Sequence, residues 1–417
     1  MNRIVPSQNP TRVHPLLWKI SLGCFIVAAL TGFLYRLGMV GWLPAPLGLA
    51  LDNIRHAHSH LMFFGWAVPF PMVILLNYLV SKDIQKGTGV DLMNYSLSGA
   101  LLFGILAYPF FLFYGYRPVE IGSASLPLSV ILSGLVMICW YGFLWGYRKV
   151  RDVLDADASQ PWFDGALVML LVCSLGAWGV AVMQAVDPDN HLFVKSLTHF
   201  FLATFTEGWI ILVVLAILVT KLQPKPENWK LSPNFWLSCI AIGAPLTFPY
   251  GISESLLSPM LLIVARLGGG LAAIGLLGVS YAFISSGKWK HRFWGWAVGL
   301  LAFKATMQLA ASIVPSSFWL SDHALRIFYL HVLLLGALTL TMTAWLQSWS
   351  RIRDIYFYAV VISVVTVLFS LVLPTSFWPV SWGGMWIYQA LVAAALLPAL
   401  AMGTQWIAIT ISQKRKA

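Results

Sequence analysis

Charged side chains are scarce in this 417-residue chain: Asp, Glu, Lys and Arg together make up 10%, where a soluble protein averages about 25%. That excludes a soluble globular domain. Cysteine is rare as well. The four that occur, Cys24, Cys139, Cys173 and Cys239, fall inside apolar runs without metal-type spacing. A disulfide scaffold is therefore excluded, and each reads as a small core residue. There is no Cys-x-x-Cys-His for a covalently attached c-type haem. Low-complexity tracts and obvious repeats are absent, and the loops are too short for a soluble domain. Strict apolar–polar alternation, the mark of a membrane barrel strand, is missing too. The N-terminus is polar to about Val13 and the first apolar run is long enough to span, so no cleavable signal peptide is expected.

What remains is apolar. Hydrophobic residues make up 59% and the mean hydropathy is +0.79. The apolar runs are continuous and roughly 20 residues long, the length that crosses a bilayer as a helix. The expectation is an all-α integral membrane protein of about twelve transmembrane helices in one polytopic domain over residues 1–417. Spans are expected near 16–38, 56–80, 96–115, 126–147, 164–185, 194–220, 234–250, 258–284, 293–313, 323–347, 355–374 and 385–411. The seventh is the weakest, because Pro245 and Pro249 interrupt it.

The formal charge of +11 fits cytoplasmic loops rather than nucleic-acid binding. With both termini cytoplasmic, the inner side collects Arg3, Arg12, Lys82, Lys86, Arg148, Lys149, Arg151, Lys221, Lys225, Lys230, Lys288, Lys290, Arg292, Arg351, Arg353, Lys414, Arg415 and Lys416. The outer side keeps Arg36, Arg55, Arg117 and Lys195, and Lys19, Arg266, Lys304 and Arg326 lie within spans. That asymmetry follows the positive-inside rule and implies a multi-pass protein of the bacterial inner-membrane type. Tryptophans near span ends, among them Trp42, Trp162, Trp319, Trp378 and Trp382, read as an interfacial belt.

The histidines carry the chemistry. His14 and His291 lie beside basic residues on the cytoplasmic side, and His191 falls in an outer loop. The other six lie in three spans. His56, His58 and His60 open the second, in Arg-His-Ala-His-Ser-His-Leu-Met-Phe-Phe-Gly-Trp; His199 lies in the sixth, eight residues before Glu207; His323 and His331 lie in the tenth. All three helices enter from the same side. At about 1.5 Å per residue, His60, His199 and His331 sit roughly 6 to 13 Å below the outer boundary. Ionisable groups inside a bilayer mark functional sites, and imidazole serves haem iron, copper and non-haem iron alike. Candidate metal ligands are therefore His58, His60, His199 and His331.

Helical spacing puts His56 and His60 on one face and His58 on the other. A His-x-His in a helix thus suits ligands to two different groups, and all three histidines stand as candidates for cofactor binding. Glu207 falls near mid-membrane below His199, as a proton-relay or supporting group. His323 stands at a helix mouth, as a ligand or a propionate partner. Arg55 and Arg326 lie near the outer mouth and could fork onto haem propionates, with Asp52 and Asp322 as their simpler partners. Lys304 and Gln308 lie one turn apart in the ninth span and could line a proton path or pair with Glu254 or helix ends. Arg266 reads as structural.

Twelve spans, internal termini and histidines in the second, sixth and tenth helices resemble the catalytic subunit of the haem–copper oxidase superfamily, which includes nitric oxide reductase. The His-Ala-His-Ser-His-Leu-Met-Phe-Phe-Gly segment also resembles the signature of the NnrS family, twelve-span membrane proteins with haem and copper linked to nitric oxide stress. The run from His331 through Gly336 to Thr341 and Met342 resembles a second NnrS segment. The resemblance implies a haem–copper-oxidase-like bundle carrying b-type haem, with one of His56, His58 or His60 and either His331 or His323 on a low-spin haem. It also implies copper or non-haem iron on His199, with Glu207 resembling a reductase glutamate. Three departures stand out. Residues 234–250 contain no histidine, the tenth-span pair is eight residues apart, and Ala203 replaces the tyrosine that would crosslink to a copper ligand.

The expected function is a haem-binding membrane protein of nitric oxide or other diatomic gas chemistry, an oxidoreductase if it turns over. Its Glu207 would be the catalytic proton donor, and its electrons would come from a quinol or small cytochrome. The alternatives are a transporter of haem, a metal ion or a proton-coupled solute, and a non-catalytic assembly or sensor protein that binds haem.

Overall fold

The computed structural model describes residues 16–43, 48–82, 87–154, 157–187, 189–252, 257–290, 293–320, 322–350 and 352–414. Arg3, Arg12, His14, Lys86, Glu254, His291, Arg292, Arg351, Arg415 and Lys416 lie outside the described residues. Among the described residues, twelve helices of 14 residues or more follow one another: α1 Leu17–Met39, α2 Leu51–Ser81, α3 Thr88–Tyr114, α4 Leu128–Val150, α5 Gln160–Val186, α6 His191–Leu222, α7 Pro233–Leu246, α8 Pro259–Ser285, α9 Trp294–Ile313, α10 His323–Ser350, α11 Ile355–Val372 and α12 Met385–Lys414. All but α7 are long and apolar enough to cross a membrane. The fold is that of an all-α, multi-pass membrane protein.

The seventh expected span departs from this pattern. Helix α7 has 14 residues, about 21 Å at 1.5 Å each, short of a bilayer core of about 30 Å. Pro245 sits in its last turn, and Pro249 belongs to a separate 3₁₀ turn, Phe248–Gly251. Two other boundaries also move. Helix α2 starts at Leu51 rather than near residue 56, which sets its histidines deeper in the helix. Helix α6 starts at His191, so that residue opens a helix capped by the Asn190 side chain instead of lying in a loop. The loop after α3 holds a short hairpin, β1 Val119–Ile121 and β2 Ala124–Leu126, paired Glu120 to Ser125. Its two-residue turn begins at Gly122 with φ +62°, a conformation suited to glycine.

The chain divides into two compact units. The first comprises residues 1–154, 342–370 and 379–417, the second residues 155–341 and 371–378. In the first unit, α1 packs on α2 so closely that a methyl group at Gly65 would fall 2.9 Å from the Cys24 Sγ. Helix α3 meets α4 through Gly89 and Gly146, each against the other's main chain. In the second unit, a methyl group at Gly243 of α7 would lie 2.6 Å from the Gly268 carbonyl of α8. Small residues at these crossings let backbones approach, the packing mode that works where lipid offers no hydrophobic drive. Cys24, Cys173 and Cys239 are buried and all four cysteines are free. The tryptophans expected in an interfacial belt differ in exposure. Trp42 and Trp382 are more than half exposed, but Trp162 is 1% exposed and packs near Trp229, so it belongs to the core.

Candidate functional site

The three histidine-bearing helices are also the most enclosed. Their most apolar stretches are 78% (α2), 89% (α6) and 67% (α10) buried, against 50% or less in every other span. Each also changes winding below its histidines. A π-helical segment runs over Met62–Ala67 in α2, Thr204–Ile210 in α6 and Val332–Leu338 in α10. Each contains one glycine, Gly65, Gly208 or Gly336. His60 and His331 each stand five residues before that glycine, and His56 and His199 nine before it. Wider π turns free main-chain groups and concentrate at functional sites. Local hydroxyls take up the slack here. Ser21 Oγ donates to the Gly65 carbonyl at 2.5 Å, and Thr339 Oγ1 donates to the Leu334 carbonyl at 2.9 Å.

In the first unit the second-span histidines divide as helical spacing requires. His58 turns toward α1, its Nδ1 2.7 Å from the Ala28 carbonyl and its ring against Gly32, where a methyl group would lie 3.0 Å away. A carbonyl can only accept, so Nδ1 carries the proton and Nε2 the lone pair. His56 and His60 turn the other way, toward Tyr116 in the loop after α3. His60 Nε2 lies 2.8 Å from the Tyr116 hydroxyl, and the His56 ring meets the Tyr116 ring edge-on at 4.7 Å. Phe111 stacks on His60 at 3.8 Å and 8°. Arg55 pairs with Asp52 at 3.2 Å, the simpler of its two expected roles.

In the second unit, His331 Nδ1 lies 2.8 Å from the Ile327 carbonyl, which again fixes Nε2 as the lone-pair nitrogen. The His199 ring rests on the 3₁₀ turn, where a methyl group at Gly251 would fall on the imidazole. Arg326 and Lys195 are its charged neighbours. Asp322 is not committed to Arg326. It caps α10, accepting from the Leu325 N–H at 2.9 Å, and also accepts from the Ser376 N–H at 2.8 Å. Burial raises its carboxyl, but these bonds outweigh burial and hold it below its ordinary 3.8. His323 opens the same helix and is exposed. Arg266 donates to the Val314 carbonyl at 3.5 Å, a structural contact.

Glu207 lies in the π segment of α6, 4% exposed, and both of its oxygens are engaged. Lys304 of α9, itself fully buried, pairs with Oε2; the Tyr329 hydroxyl of α10 donates to Oε1 at 3.0 Å. Lys304 also donates to Gln308 Oε1 at 2.6 Å and lies 5.1 Å from the centre of the Tyr329 ring. Tyr116 and Tyr329 are the two site residues that sequence reasoning passed over. Tyr329 sits two residues before His331 in the same helix; Tyr116 lies fifty-six residues from its histidine and gives no local signal. No family model matches the chain, and no curated protein is similar to it.

Among the described residues, no group of three or more His, Cys, Asp or Glu side chains is gathered as a metal site. The second unit nonetheless fits a haem on two counts. His331 has one ring nitrogen tied to a main-chain carbonyl, as metal-ligating histidines do. Arg326 Nε is a buried donor with no hydrogen-bond partner, the kind of group that a propionate carboxylate satisfies.

Proposed function

We propose that this chain is a haem-binding membrane protein of diatomic gas chemistry, nitric oxide foremost, related in architecture to the NnrS family and the haem–copper oxidase catalytic subunit. One observation carries the reading: within two of the three π-interrupted helices, a histidine has its Nδ1 committed to a main-chain carbonyl, His58 to Ala28 and His331 to Ile327. That commitment orients Nε2 as a ligand. His58 and His331 would each hold b-type haem, and Arg326 would meet its carboxylates. His199 would take copper or non-haem iron. Bound haem supplies one-electron redox chemistry and a gas-binding position. The residues of the chain do the rest: Lys304 and Tyr329 hold the Glu207 carboxylate in place, with the Tyr329 proton directed at Oε1. Both termini are cytoplasmic in this reading, α7 counts as a twelfth, shortened span, and electrons arrive from a quinol or small cytochrome at a bacterial-type inner membrane.

The test is the visible spectrum of the purified protein, oxidised, dithionite-reduced, and reduced with nitric oxide or carbon monoxide, with metal analysis of the same sample. Sharp reduced haem bands that His331→Ala and His58→Ala diminish are the expected result. A gas-induced shift assigns an open iron position. A colourless, metal-free protein from haem-replete cells overturns the reading. It would favour a transporter, which the short α7 with its 3₁₀ turn against His199 supports as a discontinuous helix at a polar site.

A further inference from the structure

Helix α8 carries a single charged side chain, Arg266. Among the described residues no carboxylate pairs with it, and residues 305–321, which finish α9 and begin the loop after it, hold no charged side chain. The side-on edge of a guanidinium, Nε with one Nη, is the fork that takes two oxygens of one acidic group. At Arg266 that edge is nearly idle. Nε is buried without a hydrogen-bond partner, and Nη2 reaches only the Val314 carbonyl at 3.5 Å, longer than an ordinary N–H···O bond. Tyr250, on the 3₁₀ turn before α8, has Arg266 as a charged neighbour and meets the Trp319 ring edge-on at 4.8 Å. Trp319 Nε1 is likewise buried without a partner. Tyr250 lies close over α8: a methyl group at Gly269, one turn on from Arg266, would fall 3.5 Å from its hydroxyl. Two idle donors thus flank one tyrosine, all within the second unit.

We propose that Arg266 and Trp319, spaced by Tyr250, bind a phosphate group, the phosphodiester of a membrane phospholipid. Three observations support this. The first is chemical. Guanidinium and indole N–H groups only donate, so the ligand must accept from both, and a cation held among apolar helices without a counter-charge calls for an anion. The second is depth. Arg266 lies seven residues after Pro259, roughly 10 Å along α8. Its side chain extends to Val314, the first residue past α9, as an arginine does when it snorkels toward the headgroups. The third is the rim, which is apolar and faces outward. Ile263 and Leu267 of α8 are 52% and 68% exposed, and Ile313 and Phe318 at the end of α9 are each 70% exposed. Such a rim suits acyl chains. Basic sites between helices take lipid headgroups in the same way. On binding, two phosphate oxygens take the Nε and Nη2 edge, and the long Val314 contact gives way.

The site does not depend on haem, whose carboxylates the reading above gives to Arg326, and a protein without haem tests it equally well. The experiment is native mass spectrometry of the purified, detergent-washed full-length protein, with thermal melting in added phosphatidylglycerol, diacylglycerol or inorganic phosphate. The expected result is one retained equivalent of phospholipid, and a melting midpoint that phosphatidylglycerol raises and the other two leave in place. Arg266→Gln should weaken phosphatidylglycerol binding by on the order of 10- to 100-fold, the worth of hydrogen bonds to a charged group. Trp319→Phe, which keeps a ring against Tyr250 but removes the N–H, should weaken it by on the order of 10-fold. Wild-type lipid binding in Arg266→Gln overturns the site; if that variant does not fold, wild-type binding in Trp319→Phe does so. Equal protection by diacylglycerol removes the phosphate from the proposal, and equal protection by inorganic phosphate removes the lipid, so either one overturns it. Haem bands are read on the same samples. If Arg266→Gln loses them and keeps its lipid, the arginine serves a haem carboxylate and the lipid site is wrong.

Discussion

The two units place polar groups inside a membrane protein in opposite ways. The first gathers neutral rings: His56, His58, His60 and Tyr116 need one or two hydrogen bonds each and carry no formal charge when the imidazoles are neutral. The second buries an ion pair, Glu207 with Lys304, deep between helices. A neutral imidazole in a low-dielectric interior costs no more than an unmade hydrogen bond, whereas a lone carboxylate or ammonium costs many times that. The second unit must therefore close its network, and it does, with Tyr329 and Gln308 taking up further bonds. The first unit can leave one open, and it does at His60 Nδ1. A charged network must close, whereas a neutral cluster tolerates an unmade bond.

Removing one member of the ion pair should give the largest effect. Lys304→Met leaves Glu207 buried without its counter-charge and should destabilise the protein by about 3 to 5 kcal/mol. The double variant Lys304→Met with Glu207→Gln should recover most of that loss, because two neutral groups replace two charges. Thermal melting in detergent, followed by the monodisperse fraction, reads both. Equal melting of Lys304→Met and wild type would mean that the pair is not desolvated, and the contrast between the units would fall.

A smaller effect is expected in the first unit at Gly65, where α1 meets the π segment of α2. Gly65→Ala forces a methyl onto Cys24 and should cost about 1 to 3 kcal/mol as overpacking. A second change, Cys24→Gly, should return part of that stability, since it removes both the Cβ and the Sγ that the methyl meets. If Gly65→Ala melts like the wild type, the π segment can shift to admit the methyl.

The smallest effect sits at Asp322. Its carboxyl is held below the ordinary 3.8 in the folded chain, so its contribution to stability is fully present above that value and lost as pH falls through the lower folded one. The stability difference between wild type and Asp322→Ala should be about 1 kcal/mol at neutral pH, as for a lost helix cap. It should shrink only below pH 3.8. A difference that vanishes near neutrality would show that the cap does not depend on the ionised carboxyl.

Much of the candidate site was legible in the chain. The histidines in the second, sixth and tenth helices, the division of His58 from His56 and His60, and the place of Glu207 eight residues after His199 all follow from spacing, because the helical repeat is local. The pairing of Lys304 with Glu207 was not legible. Residues 97 apart meet only when α6, α9 and α10 pack, and the sequence offered Glu254 and helix ends as equally good partners. The π segments were also invisible, since the stretches around them are apolar on nearly every face, and the shift of phase that an extra residue brings leaves little trace there.

The sequence by itself determined that this is an all-α membrane protein, since runs of about 20 apolar residues have no other stable form. It also determined which three helices carry the imidazoles. Only the tertiary structure decided that those three are the most enclosed, that α7 stops short, and which side chains face each histidine. The reason is physical: hydropathy and helical period act over one turn to one span, whereas enclosure, tautomer and counter-charge depend on neighbours that only packing supplies.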